Sequence, residues 1–242
     1  MVLRIARAAA VTAALLPLPW CAPALAANLQ ISPVSVSLRA GQGAGSITLR
    51  NLGEQTLYGQ VRVFAWDQQE GEDVLVPTTD LVASPPIIEV AALSSQTVRL
   101  VRRNGQPPAR ERTYRLLVDE VPRADSAAGG VAIRLQYSVP VFVLPQEQQL
   151  APQLAWSLLQ RDGAWQLQVR NDGALHAQLG ATTVRTGAGV EVELSKGLLG
   201  YVLPGRTRIW RLGARTGAAF APPFVVRSSV NAQAIDTAAS IE

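Results

Sequence analysis

Few residues in this chain could carry catalytic chemistry. Among 242 residues His176 is the single histidine and Cys21 the single cysteine. A Ser-His-Asp arrangement would have to use His176, which stands between Leu175 and Ala177 in a strand-like run. No Gly-x-Ser-x-Gly elbow accompanies it. One histidine and one cysteine do not supply the ligand set of a zinc site. Asp73, Asp80, Asp162 and Asp172 are too dispersed for a calcium loop. The glycines at 41, 43 and 45 precede no helical pattern, so they read as a turn and not as a phosphate cradle. The chain is therefore expected to be no enzyme and to need no cofactor and no metal.

The chemistry that is present is that of binding. Val131 to Val143 is the longest alternation in the chain. Val131, Ile133, Leu135, Tyr137, Val139, Val141 and Val143 fall on one parity, with Ala132, Arg134, Gln136, Ser138, Pro140 and Phe142 on the other. Strand side chains alternate between faces, so one face is an apolar ribbon and the other is polar at its start. Pro140 has no N–H for a ladder and argues for an edge position. An apolar row on an open edge invites another chain, as in β-augmentation, where a partner strand adds to the edge. A core strand of an ordinary sandwich would show the same period, and both readings stand on the alternation alone. Burying four such side chains contributes roughly 6–12 kcal/mol at ~1.5–3 kcal/mol each. Association costs about 4–15 kcal/mol, so a polar anchor and backbone hydrogen bonds should add to the hold on any partner. The basic residues are the second resource: Lys196 is the only lysine, and arginine forks grip carboxylates bidentately. A genome rich in Arg, Ala and Gly codons would produce the same bias.

The elements that must position these groups are strands. Val34 to Leu38, Ser46 to Asn51, Leu57 to Trp66, Val74 to Pro77, Ile87 to Val90, Gln96 to Val101 and Tyr114 to Glu120 precede the long alternation. Gly41 to Gly45 is a flexible turn, and Ser84-Pro85-Pro86 marks an edge or crossover. Pro145 and Pro152 bracket a polar linker. Strands resume at Gln153 to Leu159, Trp165 to Arg170, Leu175 to Val184, Val190 to Leu194, Leu199 to Leu203, Thr207 to Leu212 and Phe224 to Ala232. Asp162-Gly163 and Asn171-Asp172-Gly173 are hairpin signals. About seven short strands in each half predict an all-β chain of two immunoglobulin-like sandwiches.

The first residues read as an export signal: Arg4 and Arg7, an apolar stretch from Ala8 to Leu18, then Ala24-Leu25-Ala26 as the cleavage pattern. Trp20 before Cys21 is too bulky for lipoprotein processing. Residues 1–27 are expected to be cleaved, which leaves no cysteine, hence no disulfide. No later run approaches the ~18–20 apolar residues of a membrane helix, so no membrane insertion is expected. The 22 basic and 18 acidic residues leave +4, which becomes +2 once Arg4 and Arg7 are removed, a balance that does not point to nucleic acid.

Several stretches resemble the periplasmic fimbrial (PapD-like) chaperones. They are Leu29 to Pro33, Thr48 to Gly53, Gln60 to Trp66, Ser84-Pro85-Pro86, Gln96 to Leu100, Tyr114 to Pro122, Tyr137 to Val143 and Gly200 to Gly205. Their order covers residues 28–242 almost end to end. The resemblance implies two sandwiches in an L-shaped arrangement, at 28–145 and 146–242, working in the periplasm. It implies pilin subunits and an outer-membrane usher as partners, with self-association through the donor edge as a further option. Val131, Ile133, Leu135, Tyr137 and Val139 would then enter the groove that an unfinished pilin leaves open. Family members anchor the pilin C-terminal carboxylate with an arginine and a lysine, whose places fall here on Ser35 and Pro140. That departure resembles the archaic or spore-coat-U-like branch, and it leaves Arg99, Arg102, Arg103, Arg115 and Arg134 as anchor candidates. For the family's inter-domain salt bridge Glu120 fits the acid, while Leu144 stands where an arginine is expected. A pilus subunit and a ligand-binding sandwich are the alternatives. Two sandwiches without a disulfide disfavour the first. The single scattering of Trp66, Trp156, Trp165 and Trp210 through strands disfavours the aromatic groove the second would need.

Overall fold

The computed structural model describes residues 29–121, 134–147, 149–213 and 220–242. The expected export signal, and Val131 and Ile133 of the long alternation, lie outside the described residues. Strands are the only regular elements among them. The first ten are β1 (Leu29–Ser32), β2 (Val36–Leu38), β3 (Ala44–Asn51), β4 (Leu57–Gln69), β5 (Glu72–Pro77), β6 (Leu81–Ser84), β7 (Ile87–Val90), β8 (Ser95–Arg102), β9 (Arg112–Val121) and β10 (Gln136–Val143). They form two facing sheets, one ordered β1-β3-β8-β6 and the other β2-β10-β9-β4-β5, with β7 also on β4. Period-two burial explains the packing: in β8 Val98 and Leu100 are buried while Thr97, Arg99 and Val101 face out. Leu38, Ile47, Leu49, Leu116, Val118 and Val141 complete the middle of this core.

The remaining strands are β11 (Leu154–Arg161), β12 (Ala164–Asn171), β13 (Ala177–Thr186), β14 (Glu191–Ser195), β15 (Gly200–Val202), β16 (Arg206–Arg211), β17 (Phe224–Val230) and β18 (Gln233–Ile241). Their order is β14-β13-β17-β18-β11-β12-β16, with β15 on β13. β18 pairs with β17 along its length and with β11 through Ser240 and Ile241, joining the two layers. Leu158, Leu167, Val169, Leu179, Val184, Phe224 and Val226 form a second core.

Several expectations are refined. Ser84-Pro85-Pro86 is a crossover: β6 pairs β8 in one sheet and β7 pairs β4 in the other. Asp162-Gly163 is a hairpin turn, with φ of 52° and 73° at its two residues, as the right-handed twist of paired strands favours. Asn171-Asp172-Gly173 is no hairpin, because β12 and β13 pair with different neighbours. Its asparagine is instead a buried hub: Nδ2 donates to Leu175 O and Val202 O, and Oδ1 accepts from the Gly173 and Gln153 amides. Asn51 does the same in the first sandwich, with Nδ2 donating to Gln55 O, Val90 O and Ala91 O and Oδ1 accepting from Gly53. The turn expected at 41–45 is shorter, since Ala44 and Gly45 already belong to β3. A Cβ at Gly45 would lie 2.7 Å from Leu38 Cδ2, so a larger residue there would require the Leu38 side chain to shift. Val34, expected in a strand, is 78% exposed between β1 and β2.

Candidate functional site

β10 lies beside β9 along all of Gln136–Val143, but β2 covers only Val141–Val143 on its other side. The Glu120 amide donates to Leu135 O, and the Leu144 amide donates to Leu38 O. Odd residues therefore direct their backbone groups to β9 and even residues direct theirs away from it. Among the described residues the outward N–H and C=O of Gln136 and Ser138 have no strand beside them. Pro140 also faces outward, so its missing N–H removes nothing from the β9 ladder. This is an open edge about five residues long, continuous with a paired strand.

The odd side chains change environment along that edge. Val143, Val141 and Val139 are at most 4% exposed and belong to the first core. Tyr137 and Leu135 are half-buried at the open end of the sandwich. Val139 is thus not free to enter a partner, contrary to its place in the predicted ribbon. Its register with Leu116 sets it inside its own sandwich. Leu135 precedes the strand but extends the ladder by one carbonyl.

Glu120 closes the core face of β9 after Tyr114, Leu116 and Val118. Burial pushes its carboxyl above the ordinary range, against hydrogen bonds from the Leu135 backbone and the Tyr137 side chain. One oxygen, Oε1, is buried with no partner among the described residues. Glu120 does not bridge the two sandwiches, as the resemblance suggested. That acid is Glu111, whose side chain is fully buried and accepts the His176 amide at 2.6 Å and lies 2.9 Å from His176 Nδ1. The His176 ring stacks on Phe142 of β10 at 3.7 Å and 6°.

The seam between the sandwiches is built on the outward face of the β10-β9-β4 sheet. Trp66, Phe142 and Leu203 form a small third core there, with Leu144 and Tyr201 packed on it. The Gln68 side chain donates to Tyr201 O at 2.8 Å and accepts the Leu203 amide at 3.0 Å. Arg206 forks onto Asp67 at 2.5 and 3.2 Å, and Arg208 reaches Gly71 O and Glu72 at 2.7 and 2.9 Å. Trp66, read from sequence as a core residue, belongs to this seam, and Glu111 and His176 carried no pattern that would have paired them.

The five candidate arginines separate. Arg99 is exposed on the outer face of β8, in the sheet opposite the one that holds β10. Arg102 is held by Gln42 O and Gln106 O, and Arg103 lies just past β8 with its amide on Asp80 O. Arg134 is exposed before β10 begins. Arg115 alone stands on β9 as the register partner of Pro140. Its guanidinium lies 3.6 Å from the Trp66 ring and 5.3 Å from Tyr201, and burial pulls its pKa below the usual arginine value. Trp66 Nε1 is buried beside it with no acceptor among the described residues. The arrangement offers a strand edge, an apolar row and an arginine with no salt-bridged carboxylate among the described residues. It holds no cluster of metal-ligating side chains among the described residues.

Residues 28–149 match a family model described as pili and flagellar-assembly chaperone, PapD N-terminal domain. Among solved structures, the chain is similar to one of the CsuC–CsuE chaperone–tip adhesion subunit pre-assembly complex from archaic Csu pili of Acinetobacter baumannii. That match has 24% identity and a TM-score of 0.69, over 88% of this chain and 99% of the other. The CupB2 chaperone of Pseudomonas aeruginosa matches at 15% identity and a TM-score of 0.59, over 88% and 100% of the two chains. The Salmonella enterica SafA pilin–SafB chaperone complex matches at 16% and 0.59, over 89% and 95%. These likenesses carry the two-sandwich fold. No curated protein matches in sequence.

Proposed function

The chain belongs to the family of PapD-type pili and flagellar-assembly chaperones, and from that premise we propose that it captures exported pilin subunits by donor-strand complementation. One observation carries the reading: β10 runs out of its own core onto an edge left open at Gln136–Pro140, with Leu135 and Tyr137 half-buried on the core side. A subunit strand laid on that edge takes the outward hydrogen bonds of Gln136 and Ser138. Leu135 and Tyr137, continued by Val131 and Ile133, fill the groove of the subunit. Arg115 is the preferred anchor for the subunit's C-terminal carboxylate, because it neighbours Pro140 across the ladder, at the place where the resemblance expects a lysine. The same reading makes the protein a periplasmic binder and no enzyme, with residues 1–27 as its export signal and domains at 28–145 and 146–242. It hands its client to an outer-membrane usher. That no helix of the described residues is long and apolar enough to cross a membrane accords with this.

The test is co-expression in the periplasm with the small secreted β proteins encoded beside it, followed by pull-down and sizing. Leu135→Glu should lose the 1:1 complex and keep a wild-type circular dichroism spectrum. Val139→Glu should unfold the first sandwich, since it places a charge in a closed core. An unfolded Leu135→Glu variant, or a folded one that still captures the subunit, refutes the donor-strand assignment.

A further inference from the structure

We propose that Glu120 and Tyr137 form a polar selection point in the client groove, which takes a hydrogen-bond-donating side chain (ammonium, guanidinium, amide or hydroxyl) from the client strand. The inference rests on β10 being the donated strand. Glu120 is the last core-facing residue of β9, and by the ladder's register it stands opposite Leu135. Tyr137 bonds to its carboxyl from the neighbouring position on β10. The pair therefore sits where the chaperone's own core ends and the client's begins. Every other described residue on this face from Tyr114 to Val118 and from Tyr137 to Val143 is apolar or aromatic.

A carboxylate in such a place has four acceptor sites to satisfy. Here Leu135 and Tyr137 serve part of it, and Oε1 is buried without a partner among the described residues. A client that packs an aliphatic side chain against this spot leaves that oxygen unpaired, which is the expensive way to bury a polar group. A client carrying a donor at the same spot satisfies Oε1 and loses nothing. The apolar row would thus supply hold without much choice, and Glu120 would supply choice of client and register. Burial raises the Glu120 carboxyl above its ordinary range, and the hydrogen bonds of Leu135 and Tyr137 offset this only in part.

The probes are synthetic strand peptides of alternating Val and Ser, in which one Val is replaced in turn along the peptide by Leu, Gln or Lys. Binding to the full mature chain is measured at fixed pH for wild type, Glu120→Gln, Glu120→Leu and Tyr137→Phe. At one position the Gln or Lys peptide should bind wild type about tenfold more tightly than the Leu peptide. Glu120→Leu should reverse that order. Glu120→Gln, which is isosteric and safe for the fold, should keep binding the Gln peptide and lose any gain from Lys. A wild type that prefers Leu at every position, or a ranking unchanged in Glu120→Leu, overturns the proposal while leaving the donor strand standing. If no peptide binds wild type, the donor-strand reading falls and this inference with it.

Discussion

Replacing Arg115 by Gln separates anchoring from packing. The side chain stands beside Pro140 on the outward face and stacks 3.6 Å from Trp66, with no salt-bridged carboxylate among the described residues. In the captured state it would donate to a C-terminal carboxylate in a partly desolvated seam. Hydrogen bonds to charged groups contribute about 1.5–3 kcal/mol, so Arg115→Gln should weaken capture roughly 10- to 150-fold. The free chain loses only the stacking of a cation on an aromatic face, about 0.5–2 kcal/mol, and should stay folded with a modestly lower Tm. The assay is a double-mutant cycle: wild type and Arg115→Gln, each against the client with a free and with an amidated C-terminus. If Arg115 grips the carboxylate, the two losses coincide and do not add. Additive losses, or unchanged affinity in Arg115→Gln, would refute the assignment. Arg102→Ala with Arg103→Ala is the contrast, since the two stand at and just past the end of β8 in the opposite sheet, and it should leave capture unaltered.

The other expectations concern the frame. His176→Ala removes the imidazole partner of the fully buried Glu111 carboxylate and the ring stacked on Phe142. It should cost about 2–4 kcal/mol, read as a drop in Tm, and small-angle scattering should report a wider spread of inter-sandwich angles. Asn51→Ala and Asn171→Ala each strand several buried backbone groups. Each should destabilise by about 2–4 kcal/mol in denaturant titrations, in the first and second sandwich respectively. Burial opposes ionisation of Asp67, but the Arg206 hydrogen bond, the Gln68 backbone and the Arg206 charge together outweigh it and hold the carboxyl below its ordinary value. A lowered carboxyl contributes stability above its unfolded pKa and loses it as pH falls through the folded one. Since the pair is partly exposed, the seam should loosen only slightly, and only in strong acid, which scattering between neutral and strongly acidic pH would follow.

Much of the architecture was legible in the residues. Alternation in β3, β8, β9 and β10, the double proline between β6 and β7 and the Asp162-Gly163 turn are local properties, dictated by side-chain parity, a missing N–H and positive φ. They sufficed to read two all-β sandwiches and to single out Val131 to Val143. Tertiary structure decided which part of that ribbon is open. Val139 and Leu135 have the same parity and similar character, but Val139 pairs with Leu116 inside the first core while Leu135 stands opposite Glu120 at its end, so one residue is core and the other lies at the mouth. The arginines needed the same help, because Arg99 and Arg115 differ in which sheet carries them and not in any local pattern. Glu111 and His176 are sixty-five positions apart, and their bond exists only because two sandwiches meet. Period and turn chemistry act over a few residues and can be read along the chain. Burial, register and the pairing of distant charges depend on which surfaces pack together, which only the assembled fold specifies.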